Sequence, residues 1–391
     1  MNSRIFFATH AIALKPDGGA TWTAVHGLQS FNKTTSFNLE QVFALGQLPI
    51  YDNVEGVPNV ECTMSKVLDG YPTIWTLASQ NAIAPTLSGR GNTKCLIGLS
   101  IYNDTDQFAG DTADIGIAEC QVSGAFPTNV SYAFPVEGNS TESVTLQASD
   151  VVWADDDRMV QTIELWGGAG TASISHTTFE GTDAPLAVGG VSRRQHFKWD
   201  TSGSFPGVDS NGQHIDPHAS TIPPEVNGIS SSGTNNLVGG FYQCSVQSIN
   251  VSANITREDI FQLGKKVQFF RAVKFPVEVT CEISVIVGSG DVISATNRGI
   301  YTSDAAGQCC ASRNLAPRTI RLATCEGTRI YLGKKCKLSN VAYTGGDAGG
   351  TSVVVNYNYL TYNDFTVLHS ADINSNGATW WANQEDYVAI P

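Results

Sequence analysis

The chain contains an internal repeat. Displaced by 218 positions, it sets Gln29, Ser30 and Asn32 on Gln247, Ser248 and Asn250, and Glu40 on Glu258. Phe43, Leu45 and Gly46 fall on Phe261, Leu263 and Gly264, Pro58 on Pro276, Val67 on Val285, and Gly70 on Gly288. These are ten identities over residues 28–70 without a gap, where average composition gives roughly two or three. A shift of 216 also sets Cys120 and Ser123 on Cys336 and Ser339. What one copy folds into, the other must fold into as well, so the repeat limits the fold more than any short motif does. It divides the chain into a first domain at 1–182, a Gly/Ser/Pro-rich linker or surface excursion at 183–236, and a second domain with a C-terminal arm at 237–391.

Within each copy the apolar period is two. Val60, Cys62 and Met64 alternate after Pro58; Val277, Val279, Cys281, Ile283 and Val285 alternate after Pro276. Both runs read as half-buried strands. Strands are also expected upstream, at residues 27–37 and 246–255. Further ones fall at 95–102, 115–122, 129–135 and 143–148, and at 319–324, 329–332, 336–342 and 352–368. Between the first two strands of each copy, residues 38–46 and 256–264 read as a two-turn helix. Thr256 can cap it, Asp259 sits where a capping box reciprocates, and Gly46 or Gly264 can stop it. The expectation is a mainly β protein of two tandem β-sandwich or barrel domains, each with one short flanking helix. Phe43, Leu45, Gly46 and Pro58, with Phe261, Leu263, Gly264 and Pro276, form the repeated core signature.

Composition excludes several classes. Hydrophobic residues at 41% exclude a disordered chain, and charged residues at 15% are too few for a coiled coil. A net charge of −13 argues against a protein that grips nucleic acid phosphates. No apolar run reaches the length of a membrane span, and no secretory leader is expected at the N-terminus. Nine cysteines without zinc spacing read as reduced core residues, Cys309 and Cys310 being adjacent thiols. His214, Asp216 and His218 have metal-ligating chemistry, but Pro217 bends a loop there. Asp155, Asp156 and Asp157 lack the rest of a calcium loop, and Gly167, Gly168 and Gly170 lack a phosphate-binding signature. No catalytic residue, metal or cofactor is expected. Trp380 and Trp381 could stack on a sugar, which supports an alternative reading as a β-sandwich adhesin or carbohydrate-binding module.

Residues 27–30 (GLQS), 36–47 (SFNLEQVFALGQ), 50–54 (IYDNV), 57–61 (VPNVE) and 66–70 (KVLDG) together resemble a bacteriophage tail tube protein. Residues 126–146 (FPTNVSYAFPVEGNSTESVTL) are similar to the later strands of that family. The second copy keeps 257–264 (REDIFQLG) and 275–280 (FPVEVT). The resemblance implies a structural, non-enzymatic virion protein that stacks in rings to form a hollow tail tube for DNA ejection. A duplicated tube domain implies a homotrimeric ring with pseudo-sixfold symmetry; a homohexamer decorated by its second copy is the alternative. Implied partners are the tape-measure protein and DNA in the lumen, without specific binding, and tail terminator and baseplate proteins. A contractile tail would add a sheath. No membrane is involved, and assembly would take place in the host cytoplasm. Three chains at −13 put about −39 on a ring, and like charge keeps DNA from sticking to it. The loops after the two expected helices differ in sign. Asp52 and Glu55 stand in the first copy, and Lys265, Lys266, Arg271 and Lys274 in the second. The expectation is that these loops meet across domain boundaries and enforce alternation.

Overall fold

The computed structural model describes residues 10–19, 22–80, 82, 84–102, 116–155, 190–200, 220–221, 237–238, 241–242, 244–264, 268–287, 317–324, 326–345 and 352–369. The first unit contains β1 (His10–Pro16), β2 (Thr23–Ala24), β3 (Leu28–Ser36), β4 (Leu39–Val42), β5 (Asp52–Glu55) and β6 (Asn59–Val67). It continues with α1 (Ile74–Ala78), α2 (Leu87–Gly91), β7 (Cys95–Tyr102), β8 (Gly116–Pro135), β9 (Thr141–Ala148) and β10 (Asp150–Asp155). Then come β11 (Phe197–Asp200), β12 (Ser220–Thr221), β13 (Leu237–Val238) and β14 (Phe241–Tyr242). The second unit contains β15 (Cys244–Asn254), β16 (Arg257–Ile260), β17 (Phe270–Val273), β18 (Glu278–Val287), β19 (Arg321–Thr324), β20 (Arg329–Tyr331), β21 (Lys337–Thr344), β22 (Val354–Tyr362) and β23 (Thr366–Leu368). The protein is mainly β, as the alternating pattern requires.

One antiparallel sheet runs through both units in the order β3-β6-β9-β8-β15-β18-β22-β21. Its inner face is set by period two. Val60, Cys62 and Met64 of β6 are buried, as are Val144 and Leu146 of β9, Val279, Cys281 and Ile283 of β18, and Tyr357 and Tyr359 of β22. A second layer covers each unit. β2-β1-β7 continue into the first half of β8, and β11-β12-β19-β20-β23 form a separate sheet. The 20-residue strand β8 serves both layers of the first unit. Residues up to Ala125 pair β7 or β10; residues from Phe126 pair β9 and later β15. The change of partner falls at Gly124, whose φ of +63° is open to glycine at little cost. One apolar core runs through both units, and Phe365 of the second stands against Trp75 (6.0 Å between centroids) and Tyr132 (6.4 Å) of the first.

The repeat is present in the hydrogen-bond register. β4 pairs β5 from Leu39↔Glu55 to Val42↔Asp52, and β16 pairs β17 from Arg257↔Val273 to Ile260↔Phe270, each pair displaced by 218. β3 and β15 carry bulges at the same place, between Leu28 and Ser30 and between Val246 and Ser248. Beyond the hairpins the offset changes. Cys62↔Leu146 matches Cys281↔Tyr359, so β6 maps onto β18 at 219 and β9 onto β22 at 213. The gap-free match of Val67 with Val285 is therefore one residue out: the second copy has one extra residue between Pro276 and Cys281. The bulge of β8 at Pro127/Asn129 matches that of β21 at Leu338/Asn340, an offset of 211. This replaces the offset of 216. Cys120 lies in the half of β8 that pairs β7, whereas Cys336 precedes β21.

The expected helices at 38–46 and 256–264 are β-hairpins, not helices. A two-turn helix is unstable without a face to bury, and here strand pairing satisfies the backbone instead. Gly46 (φ +89°) and Gly264 (φ +84°) serve the hairpin turns. The helices of the first unit are α1 and α2; the described residues of the second unit contain none. The core signature is corrected as well. Phe43, Leu45, Phe261 and Leu263 are exposed on the hairpins, as are Gly46, Gly264 and Pro276, and Pro58 is half-buried. Part of the segment read as a linker is built into the fold. Ser192 bridges Leu68 and Ser140 through backbone bonds of 2.7 and 2.8 Å, and β11 pairs β19.

Candidate functional site

The place where the two units meet is a built joint. β8 and β15 pair antiparallel from Asn129↔Asn254 to Ser248↔Pro135. Backbone bonds extend the seam at both ends, Ile255 N to Thr128 O and Val136 N to Gln247 O, both 2.8 Å. The hairpin β16–β17 folds over the end of β8. Phe270 meets Phe126 edge-on, with 5.9 Å between centroids and 88° between planes. The Arg257 guanidinium lies 4.8 Å from the Phe126 ring centre. It donates to Pro127 O from Nε (3.0 Å) and Nη2 (2.7 Å), to Gly91 O (2.5 Å) and to Arg271 O (3.3 Å). Burial and the neighbouring Arg271 push Arg257 down to about 9, with Asp259 opposing. Arg271 is buried and bonds Asp259 Oδ1 at 2.8 Å. The Gln268 amide, with its oxygen toward Arg271, accepts from Arg271 Nε (2.8 Å) and from Ser149 Oγ (3.3 Å). One arginine thus ties α2, β8 and β17 together across the repeat boundary.

The outer ends of the long sheet are open. Among the described residues β3 bonds only β6 and β21 bonds only β22. β3 is the equivalent of β15, and β21 of β8, so the two open edges are the two halves of the same joint. Their exposure shows what the joint buries. Tyr132 of β8 is 1% exposed and its counterpart Tyr343 of β21 is 55% exposed. The β4–β5 hairpin also stands clear, with Phe37, Leu39, Phe43, Leu45, Leu48 and Tyr51 exposed. Clustered exposed apolar residues and open strand edges are features that interaction surfaces share.

The charged residues singled out from the sequence fall at different places. Asp52 and Glu55 are exposed on β5, at the open end. Arg271 is on β17 at the closed joint with its charge on Asp259, and Lys274 is exposed just beyond it. Lys265 and Lys266 lie outside the described residues. The direct pairing expected between the two hairpin loops therefore loses Arg271. Sequence reading missed Arg257. Its signal was the offset of 218, which puts Leu39 at the equivalent position.

Buried charge elsewhere in the fold is structural. Glu142 Oε2 and Oε1 accept the N–H groups of Ile74 (2.6 Å) and Trp75 (3.0 Å) at the start of α1, and Oε1 also takes the Tyr132 hydroxyl (2.7 Å). Burial pushes the Glu142 carboxyl up, against those bonds. Lys66 pairs Asp69 at 3.1 Å and donates to Pro72 O at 3.0 Å. Cys62, Cys95, Cys120, Cys281 and Cys336 are buried free thiols. No group of three potential metal ligands occurs among the described residues, and no helix there is long and apolar enough to cross a membrane. His214, Asp216, His218, Asp156, Asp157, Gly167, Gly168, Gly170, Cys309, Cys310, Trp380 and Trp381 lie outside them.

Comparison with protein-family models and with curated proteins finds no match. Solved structures do match. The tube-terminating cap of the anti-feeding prophage is 20% identical over 40% of this chain and 93% of its own, with a TM-score of 0.30. A chain of the sixfold-symmetrised anti-feeding prophage baseplate is 8% identical over 40% and 98%, TM-score 0.29. A chain of the extended sheath–tube complex of the PVC extracellular contractile injection system is 18% identical over 40% and 94%, TM-score 0.28.

Proposed function

We propose that this chain is a structural protein that closes into rings through its sheet edges and stacks them into a tail tube. The observation that supports this most is the β8–β15 joint. One unit already binds the other edge to edge, and among the described residues the sheet ends in the two unmatched halves of that joint. β21 of one copy then pairs β3 of the next, and ring closure removes both edges. A head-to-tail contact between two different edges gives a ring when its rotation closes. Transferred from the internal joint, the register sets Asn340 against Ser36, Val341 against Thr35, Ala342 against Thr34, Tyr343 against Lys33 and Thr344 against Asn32. On this reading residues 1–182 and 237–391 are two tube domains joined by 183–236, and three chains make a ring of six. The resemblance of residues 27–70 and 126–146 to phage tail tube proteins supports a phage virion, with DNA passing through the lumen and tape-measure, terminator and baseplate proteins as partners. Such a role needs no catalytic group.

Negative-stain microscopy with mass photometry at rising concentration tests this. Hollow tubes or stacked rings with three chains per layer are expected. Six chains per layer would leave the second unit as decoration. A persistent monomer that binds glycans would instead favour the carbohydrate-binding alternative.

A further inference from the structure

The two joints of such a ring are related by the repeat, but their residues differ. The closed joint shows which positions touch. Phe126 of β8 meets Phe270 of β17, and Arg257 of β16 lies over Phe126 and Pro127. At offset 211 Phe126 becomes Lys337, Pro127 becomes Leu338 and Thr128 becomes Ser339. At offset 218 Phe270 becomes Asp52 and Arg257 becomes Leu39. Both members of each contact have changed together. An aromatic pair has become a lysine and an aspartate, and the arginine that caps the Pro127 carbonyl has become a leucine.

The surface agrees with this mapping. Lys337 and Asp52 are both exposed. Beside β21 lies an open cavity of 310 Å³ lined by Lys335, Lys337, Leu338, Ser339, Leu360 and Tyr362. Leu360 and Tyr362 correspond at offset 213 to Gln147 and Ser149. In the first unit this ground is covered by the β16–β17 hairpin, through Phe126, Pro127 and the Gln268–Ser149 contact. The occupant that the repeat supplies for the open cavity is the β4–β5 hairpin of another copy. That hairpin carries Glu40, Asp52 and Glu55, opposite in sign to Lys335 and Lys337; the cavity also holds Asp364, which acts on Lys335 and leaves Lys337 as the pairing cation.

We propose that the β4–β5 hairpin of one copy seats in the cavity beside β21 of the next, with Asp52 paired to Lys337. This rests on the ring reading and names its intermolecular contact. The internal β8–β15 joint already makes the units alternate in such a ring, and the β16–β17 hairpin is occupied within its own chain. In place of the contact between the two hairpin loops expected from the sequence, the intermolecular contact is Asp52 against Lys337; an Arg257 guanidinium in that position would meet the Lys337 ammonium, and like charges there disfavour it.

Charge reversal tests this. Asp52→Lys and Lys337→Asp each change an exposed side chain, so circular dichroism and the melting midpoint of the isolated chain should match wild type. Each single variant should raise the concentration needed for assembly roughly tenfold or more, because every joint in a ring repeats the defect. The double variant D52K/K337D should recover most of that loss. Assembly of either single variant at wild-type concentration, or failure of the double variant to recover, overturns the pairing and leaves the ring reading standing. A wild-type chain that does not assemble at any concentration overturns both.

Discussion

The closed joint and the open edges are the same structure in two states. At β8–β15 the repeat boundary is fully dressed, with a ladder of backbone bonds, an aromatic pair and an arginine that caps two carbonyls. At β3 and β21 the equivalent positions are less covered, and Tyr343 is 55% exposed where Tyr132 is 1% exposed. The difference teaches that pairing at the joint buries strand positions that stay uncovered at the open edges, while both hairpins keep exposed apolar tips. The comparison extends to the core. Lys66 and Glu142 of the first unit stand where the second has Val285 and Val355, at offsets 219 and 213. At these two positions buried charge is present in the first unit only, while the second buries Glu326 and His369 elsewhere.

The largest expected effect would break the closed joint. Arg257→Ala leaves Pro127 O and Gly91 O without their donor and should cost roughly 3 kcal/mol of chain stability in urea unfolding. Leu39→Ala, at the equivalent open position, should leave chain stability unchanged and weaken assembly. Equal losses from both would end the distinction between closed and open joints.

A somewhat smaller effect sharpens the contrast in buried charge. Burial pushes His369 down to about 4, and its Nε2 lies 3.7 Å from Glu326 Oε2. A histidine free of such burial titrates near 6.5, so the unfolded chain takes the proton first. Stability should be whole above that value and should fall by about 2 kcal/mol as pH drops from 6.5 toward 4. Glu326, raised by burial, works in the opposite sense. His369→Gln should flatten the decline. An unchanged slope would assign the acid sensitivity to other groups.

Tyr132→Phe removes the hydroxyl that Glu142 accepts and should cost about 1–2 kcal/mol. Tyr343→Phe should cost nothing in the isolated chain. The smallest effect is expected at the hairpin tips. Leu45→Gln and Leu263→Gln alter side chains that touch solvent, so the urea midpoint should not move while tube formation weakens. A lowered midpoint would mean that the tips pack on their own chain.

Much of the fold was legible because period-two burial writes itself into the sequence. Val60, Cys62 and Met64, and Val279, Cys281 and Ile283, show their strands directly. The hairpins were not legible. Thr256, Asp259 and Gly264 suit a helix and a β-turn equally, and Phe43 or Phe261 reads as core although both are exposed. Glu142, Lys66 and Arg257 were invisible as partners because each contact joins segments far apart in the chain.

The sequence by itself determined that there are two copies, that both are built of strands, and that the offset of 218 holds from β3 through the hairpins. Those properties are local or repeat at fixed spacing. Only the tertiary structure decided the later offsets of 219, 213 and 211, which bulges and one extra residue set, and which strand of one copy meets which strand of the other. Edge pairing uses backbone groups that every residue carries, so no side-chain pattern announces it. The fold chose β8 against β15, and in doing so left β3 and β21 as the outer strands of the sheet among the described residues.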